Sequence, residues 1–309
     1  MGDPSGIGPV IAVKALRKIS GLAEFTVIGD SWLLKKAGLK NPAIPGLKVI
    51  DLENVDRKSF VPGKINAAYG RASLEYIDAA LKLLKVKAVD CLVTCPISKE
   101  AVRKAGFRFP GHTEYLAYAS RTKDFAMMVL NRKLRISLVT THLALREVSS
   151  RINQEHIYRN IALTAASLKK YFRIPTPRIV VCGLNPHASD GGIIGKEERQ
   201  IIEPAVRRAR KSLGCNIAGP LPSDVAMYKA CQGGYDAVVA MYHDQALISL
   251  KLTDFDSGVN MTLGLPFVRT SPLHGTAFDI AKRPALADPN SLIAAIKLAV
   301  QCASGPRRD

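Results

Sequence analysis

Residues 238–280 read VVAMYHDQALISLKLTDFDSGVNMTLGLPFVRTSPLHGTAFDI. With Ala237 ahead of it, the apolar run to Met241 has the length and β-branched content of a buried strand. It stops at Tyr242, His243, Asp244 and Gln245, a polar tetrad with no reason to sit in a core. Lys251, Asn260, Arg269 and His274 follow, each beside an apolar run or a turn signal. Open α/β sheets bind ligands outside the carboxyl ends of their strands. A strand that delivers a His and an Asp there, with cations close behind, reads as a site for an anionic substrate and a metal.

The same alternation runs through the chain. Strand-like runs occur at 25–28, 49–50, 89–94, 126–130, 136–140, 179–183, 237–241 and 259–263, and amphipathic stretches at 66–85, 152–172, 197–213 and 289–302. Leu74, Ile77, Ala80, Leu81 and Leu84 recur at steps of three and four, which is helical. This predicts an α/β architecture with a largely parallel sheet. At 309 residues the chain exceeds the usual single domain, so two lobes are expected. Residues 41–46 read as a loop rather than a linker.

Composition narrows the function classes. The hydrophobic fraction of 47% supports a substantial core. No apolar run approaches the roughly 20 residues of a membrane helix, and Met1, Gly2, Asp3 and Pro4 do not open a secretory signal. The six cysteines are scattered without a CxxC pair, which reads as free thiols in a reducing cytoplasm. The net charge of +18 is dispersed over surfaces such as Arg207, Arg208, Arg210 and Lys211, and no basic run alternates with aromatics. A solvated basic surface is expected, not a nucleic-acid or membrane partner.

Three histidines share one placement. His142 follows residues 136–141, His187 follows 179–184 and the turn at Asn185 and Pro186, and His243 follows 237–242. Three strands ending in histidine could converge at one sheet edge, where neutral imidazoles leave open positions on a divalent metal. Each could equally cap its own loop. Asp224 sits in a rigid Pro-containing loop opening a short helix and reads as an N-cap, with a carboxylate held over a site as the alternative. Gly2–Pro9 reads as a plain turn into a helix near Val10, with anion binding by its amides the weaker reading. His112 and Thr113 open another helix, where they could bind an anion or Thr113 could cap. His156 reads as a surface residue.

Taken together these segments resemble the 4-hydroxythreonine-4-phosphate dehydrogenase family of vitamin B6 biosynthesis. The resemblance rests on GDPSGIGP at 2–9, PISKEA at 96–101, PGHTEYLA at 110–117, THLALREV at 141–148, NPHASDGGIIGKEE at 185–198, GPLPSD at 219–224, AMYHDQ at 240–245, VNMTLGLPFVRTS at 259–271 and HGTAFDIA at 274–281. It implies an isocitrate/isopropylmalate-dehydrogenase-like fold, with two lobes around a largely parallel sheet and the active site in the cleft. Lobe one would be 1–105 with 275–309, on the nucleotide side. Lobe two would be 106–274, on the metal, substrate and dimer side.

The resemblance also implies roles. His142, His187 and His243 match metal ligands, contributed by both subunits of a homodimer. His112, Thr113, Lys251, Asn260 and Arg269 match substrate contacts. Lys251 and Asp224 are the candidate catalytic groups. His274, Gly275, Thr276 and Asp279 match a dinucleotide loop for NAD or NADP. One divalent ion per site is implied, and zinc, cobalt, magnesium and manganese all suit the donor types. The implied reaction is oxidation and decarboxylation of 4-phosphooxy-L-threonine to 3-amino-2-oxopropyl phosphate in the cytoplasm. The rivals are a paralogous D-threonate or D-erythronate 4-phosphate dehydrogenase and a non-catalytic binding protein. The chain departs from the pattern at Val225 (usually Thr), Ala246 (usually Gly) and Ser189-Asp190 (usually Gly-Glu). The family carries a short strand ahead of GDPSGIGP, so an upstream start is expected here.

Overall fold

The computed structural model describes residues 1–39, 44–109 and 111–304. The loop expected at 41–46 therefore falls partly outside the described residues, as does Pro110. From the amino end run α1 (Gly8–Lys18), β1 (Phe25–Gly29), α2 (Ser31–Lys36), β2 (Leu47–Asp51), α3 (Ala67–Lys85), β3 (Cys91–Val93), α4 (Lys99–Lys104) and α5 (His112–Ala119). Next come β4 (Ala126–Leu130), β5 (Arg135–Leu138), α6 (Leu145–Arg151), α7 (Gln154–Phe172), β6 (Arg178–Cys182), α8 (Glu203–Ser212) and β7 (Asn216–Leu221). The chain finishes with α9 (Ser223–Cys231), β8 (Ala237–Ala240), α10 (His243–Thr253), β9 (Val259–Leu263), β10 (Val268–Pro272) and α11 (Asn290–Ala303). Two compact units result, Met1–Arg121 with Pro266–Asp309, and Thr122–Leu265. His112, Thr113, Arg269 and the 274–279 loop belong to the first, and His142, His187, Asp224, His243, Lys251 and Asn260 to the second.

In the first unit β1 pairs with β2 and β3 with β10, both parallel. Helix α3 packs on β1 through Tyr69, Ala72, Tyr76 and Ala80, and α1 packs with α11 around Ile11, Leu292 and Ile296. In the second unit the strand order is β9-β4-β5-β8-β6-β7. There β5, β8, β6 and β7 are parallel, while β4 is antiparallel to both β5 and β9. Ile157, Ile161 and Leu168 of α7 and Val206 and Ala209 of α8 cover Ile179, Val181 and Val239 of the sheet. Asn66 and Asn153 cap α3 and α7 by accepting from the Ala68 and His156 amides at 2.9 and 2.8 Å.

The runs at 126–130 and 259–263 form β4 and β9 as read. The stretch 197–213 does not form one α-helix. Pro204 lacks an amide hydrogen, so regular α-helix begins only at α8, after a π-helical turn over Glu198–Ile202. Strands β7 and β10 escaped the sequence reading because Gly219 and Pro220 interrupt the first and Arg269 the second. β7 lies at the sheet edge, where proline is tolerated. Among the described residues no helix is long and apolar enough to cross a membrane, and the six cysteines are free.

Gly70 sets the approach of α3 to α4. A Cβ there would lie 2.3 Å from the Ala101 carbonyl carbon and oxygen, both backbone atoms. Alanine in place of a helical glycine normally stabilises by about 1 kcal/mol. Here the sign reverses: Gly70→Ala is expected to cost about 1–3 kcal/mol, read as a lower midpoint in chemical unfolding. A midpoint equal to or above the parent's would contradict this packing.

Candidate active site

Strands β5, β8 and β6 are immediate neighbours, with Ile136 and Val180 both in register with Val238. Being parallel, they present their carboxyl ends side by side. His142 follows β5, His243 is the first residue of α10 after β8, and His187 lies in the turn after β6. The His142 and His243 rings meet, with centroids 5.8 Å apart. His243 Nδ1 pairs with Asp244 Oδ1 at 2.6 Å, which leaves Nε2 as the donor nitrogen. Carboxylate backing of this kind orients metal-binding imidazoles. His187 does not complete a cluster: among the described residues no three His, Cys, Asp or Glu gather closely enough to hold an ion. The expected convergence is thus realised for two histidines. The pair fits a divalent metal in donor type, but one chain falls short in donor number.

The turn that carries His187 is left-handed throughout. His187, Ala188, Ser189, Asp190 and Gly191 have φ of 53, 52, 72, 45 and 68°. For non-glycine residues this conformation costs roughly 1–2 kcal/mol each. Ser189 therefore sits at a position that suits glycine. The turn is anchored at its base by Glu198, which is 2% exposed. Its Oε1 accepts from the Leu184 and Asn185 amides at 2.8 and 2.7 Å, and its Oε2 from Asn185 Nδ2 at 3.0 Å. Gln245 ties this loop to that of His243. Its Nε2 donates to the Gly183 carbonyl at 2.9 Å and its Oε1 accepts from the Met241 amide at 2.7 Å. The Thr140 hydroxyl donates to the Met241 carbonyl at 2.6 Å, so all three histidine loops are linked. Sequence reasoning quoted Gln245 and Glu198 within motifs but gave them no role. Their signal was a polar residue inside an otherwise apolar helical face.

Asp224 is not the cap it was expected to be. Pro222 occupies the N-cap of α9 with no side-chain bond, and the exposed Asp224 lies in the first turn. Lys251 lies eight residues, roughly 12 Å of helix axis, beyond His243 on α10, with its ammonium 5.7 Å from the Phe255 ring centre. Asn260 is on β9 opposite Val129, and its Oδ1 is enclosed without a hydrogen-bond partner among the described residues.

The first unit holds a cationic pocket of its own. Arg269 on β10 is 2% exposed and donates to Thr94 Oγ1 at 2.6 Å. Burial brings its guanidinium down to about 10, against the opposing pull of Glu114. His112 begins α5, whose N-cap is Gly111, so Thr113 does not cap. His112 Nε2 is enclosed and has no partner among the described residues. Burial holds this imidazole well below the ordinary histidine range, reinforced by the charges of Arg269, the Met1 amino group and Lys99. A neutral ring and a buried guanidinium suit an anion.

The 274–279 loop lies against the Gly2–Pro9 turn. The Ile7 amide donates to the Thr276 carbonyl at 3.0 Å, and a Cβ on Gly6 would come within 2.9 Å of that oxygen. The Ser5 and Gly6 amides are committed to Asp3, so this turn is the plain one that was expected. His274 Nδ1 lies 2.9 Å from the Gly275 carbonyl, and its Nε2 is enclosed without a partner among the described residues. Gly275 has open space where a Cβ would stand, and Asp279 is exposed. His156 lies on the exposed face of α7, as read.

The model of the pyridoxal phosphate biosynthetic protein PdxA family matches residues 14–299. The chain belongs to this family. It is 43% identical to the 4-hydroxythreonine-4-phosphate dehydrogenase of Desulforapulum autotrophicum, over 97% of this chain and 93% of that protein. It resembles the crystal structure of 4-hydroxythreonine-4-phosphate dehydrogenase from Klebsiella pneumoniae, with a TM-score of 0.86 and 38% identity over 98% of this chain and 96% of that one. Isocitrate dehydrogenase from Methylococcus capsulatus matches with a TM-score of 0.51 at 13% identity, over 97% and 83% of the two chains. That likeness is one of fold alone, and it bears out the dehydrogenase-like architecture expected from the motifs.

Two outcomes follow from the geometry of this PdxA-family site. Gln245→Ala leaves a buried amide and a buried carbonyl without partners and is expected to cost about 2–4 kcal/mol in chemical unfolding. A cost below 1 kcal/mol would show that the bridge does not hold the loops. For His112 the folded pKa is depressed, so the unfolded chain binds the extra proton. Its effect on stability is nil above the unfolded value of about 6.5, and stability falls as pH drops below it, by up to about 1.4 kcal/mol per unit. His112→Gln should flatten the loss measured between pH 6.5 and 5. An unchanged slope in the variant would rule this out.

Proposed function

We propose that this chain catalyses the NAD-linked oxidation of 4-phosphooxy-L-threonine (4-hydroxythreonine 4-phosphate), followed by decarboxylation to 3-amino-2-oxopropyl phosphate, in pyridoxine 5'-phosphate biosynthesis. The observation that carries the reading is the His142/His243 pair, with His243 backed by the Asp244 carboxylate, at the ends of adjacent parallel strands in a chain of the PdxA family. The free cysteines suit a reducing cytoplasm.

The residue types match the steps. His142, His187 and His243 are the metal donors in this reading. The bound groups would supply two things, Lewis-acid polarisation of the C3 hydroxyl and acceptance of the C3 hydride. Arg269 offers a planar fork of donors to carboxylate or phosphate, and Lys251 a mobile point charge. Neutral His112 can present one ring N–H to an anion without adding charge. Asn260, with an enclosed carbonyl oxygen, accepts a substrate hydroxyl or amine proton. Thr113 supplies a hydroxyl beside His112. Oxidation at C3 leaves a β-keto acid. Its carboxylate departs as carbon dioxide, and the electron pair passes into the carbonyl. Asp224 and Lys251 are the groups assigned to proton transfer. His274, Gly275, Thr276 and Asp279 are assigned to the nicotinamide dinucleotide, NAD or NADP.

We assign the chain to a homodimer that completes the metal site. Two observations support this: only two of the three histidines gather in one chain, and the second unit exposes Leu145, Ile193, Tyr228, Ile248, Leu252 and Phe255. The rival substrates, D-threonate and D-erythronate 4-phosphate, differ by a hydroxyl in place of the C2 amine.

The test follows NAD reduction with each phosphorylated acid, with and without chelator. Turnover of 4-phosphooxy-L-threonine, lost on chelation and restored by a divalent ion, is expected. His243→Ala should lower that turnover at least about a thousandfold while keeping the parent's unfolding midpoint, because a half-exposed strand-end imidazole buries little apolar area. Preference for a threonate would replace the substrate assignment, and near-full activity of the variant would overturn the metal assignment.

A further inference from the structure

Between β10 and α11 the chain runs from Leu273 to Pro289 without a strand or an α-helix. Connections this long are uncommon inside compact units and are usually functional. Its own hydrogen bonds are short-range. The Ile280, Arg283, Leu286 and Ala287 amides each donate three residues back, to Ala277, Ile280, Arg283 and Pro284, at 3.2, 2.8, 3.0 and 3.2 Å. Residues 282–286 are exposed, so apolar burial holds this part of the loop weakly. Ala277 adopts a left-handed φ of 47°, a conformation that persists only where the surroundings impose it. The path of the loop therefore depends on support from outside it.

That support comes from one face of α1. The Ile7 amide, at the amino end of the helix, donates to the Thr276 carbonyl at 3.0 Å. Further along the helix, Lys14 reaches the other end of the loop. Its ammonium donates to the Pro284, Ala285 and Ala287 carbonyls at 2.7, 3.3 and 2.8 Å. A lysine ammonium carries three N–H donors and no acceptor, so these bonds use all of them. The carbonyls belong to the 3₁₀ turn Pro284–Leu286 and to the residue that ends it. Carbonyls at the end of a helical turn favour a cation. Residues 7 and 14 are two helical turns apart, on the same face and separated by roughly 10 Å along the axis. One rigid helix thus grips the loop on both sides of Asp279.

We propose that Lys14 is a positioning residue for dinucleotide binding: its ammonium holds residues 284–287 on α1 and so keeps His274, Gly275, Thr276 and Asp279 in one arrangement before the dinucleotide arrives. The proposal rests on the assignment of those four residues to NAD or NADP. A loop free to move has to be ordered on binding, and that ordering weakens affinity. With its three donors engaged, Lys14 makes no bond to the ligand, and the chemical step keeps its rate once the dinucleotide is bound.

The test uses the full-length protein and three variants. Lys14→Met keeps the length of the side chain and removes the donors, and Lys14→Arg restores donors. Val13→Ala shortens a buried side chain of the same helix, outside the cluster around Ala277 and Ile280, and so lowers stability without touching the loop. Amide exchange at Ile280, Arg283, Leu286 and Ala287 is expected to quicken at least about tenfold in Lys14→Met, with Ile161 of α7 unchanged. The Kd for NADH, followed by its fluorescence, and the KM for NAD should both rise at least about tenfold. Neither kcat at saturating NAD nor the KM for 4-phosphooxy-L-threonine should change by more than about twofold. Lys14→Arg should recover most of the affinity, and Val13→Ala should lower Tm with no change in the Kd for NADH. A Lys14→Met protein that binds NADH as tightly as the parent, or a Val13→Ala protein that loses as much affinity, overturns the positioning role. A parent that binds neither NADH nor NADPH overturns the loop assignment and the proposal together, an outcome distinct from the first because it appears before any variant is made.

Discussion

The parallel ladder of β5, β8 and β6 is the constraint on which the second unit rests. Ile136, Val180 and Val238 stand in register and are wholly buried. A parallel strand flanked on both sides and covered on both faces has no solvent for its backbone groups, so its register admits no slip. Because the three strands run the same way, whatever follows each one emerges at the same end. His142, His187 and His243 owe their neighbourhood to that direction rather than to any attraction between them.

At that end the burial problem changes sign. The backbone leaves its ladder while still enclosed, and every amide and carbonyl there needs a partner. Gln245 and Glu198 answer this need, the first across β6 and β8, the second under the left-handed turn of His187. The turn stores strain in four non-glycine residues, and Glu198 accepts hydrogen bonds that hold its base. A functional site placed at strand ends thus depends on polar residues that touch no substrate. The first unit shows the complementary case. Arg269 lies inside β10 and is buried, donating to Thr94 and feeling the opposite charge of Glu114. Such a group is stabilised further by any anion that reaches it, and the depressed His112 beside it remains a neutral donor or acceptor through the physiological range.

Much of this was legible in the chain. The apolar runs of β4, β8 and β9 and the three-and-four spacing of α3 and α7 declare their elements, because burial on one or both faces writes a period into the sequence. The strand-end placement of three histidines was equally visible. What escaped were elements whose local signal opposes their environment. β10 carries an arginine, β7 a glycine and a proline, and α10 opens on a polar tetrad that looks like a loop. Asp224 shows the opposite error: its loop suits an N-cap, yet Pro222 takes the capping position.

The sequence by itself determined the α/β class, the family, the order of the motifs and the residue types available for metal, anion and nucleotide. These follow from periodicity and from runs of residues whose chemistry is local. Only the tertiary structure decided which of those residues meet. It paired His142 with His243 and left His187 outside a three-ligand cluster in one chain. It buried Arg269 and gave Gln245 its bridging role. The reason is that proximity and desolvation are properties of distant segments packed together, and no window of sequence contains them.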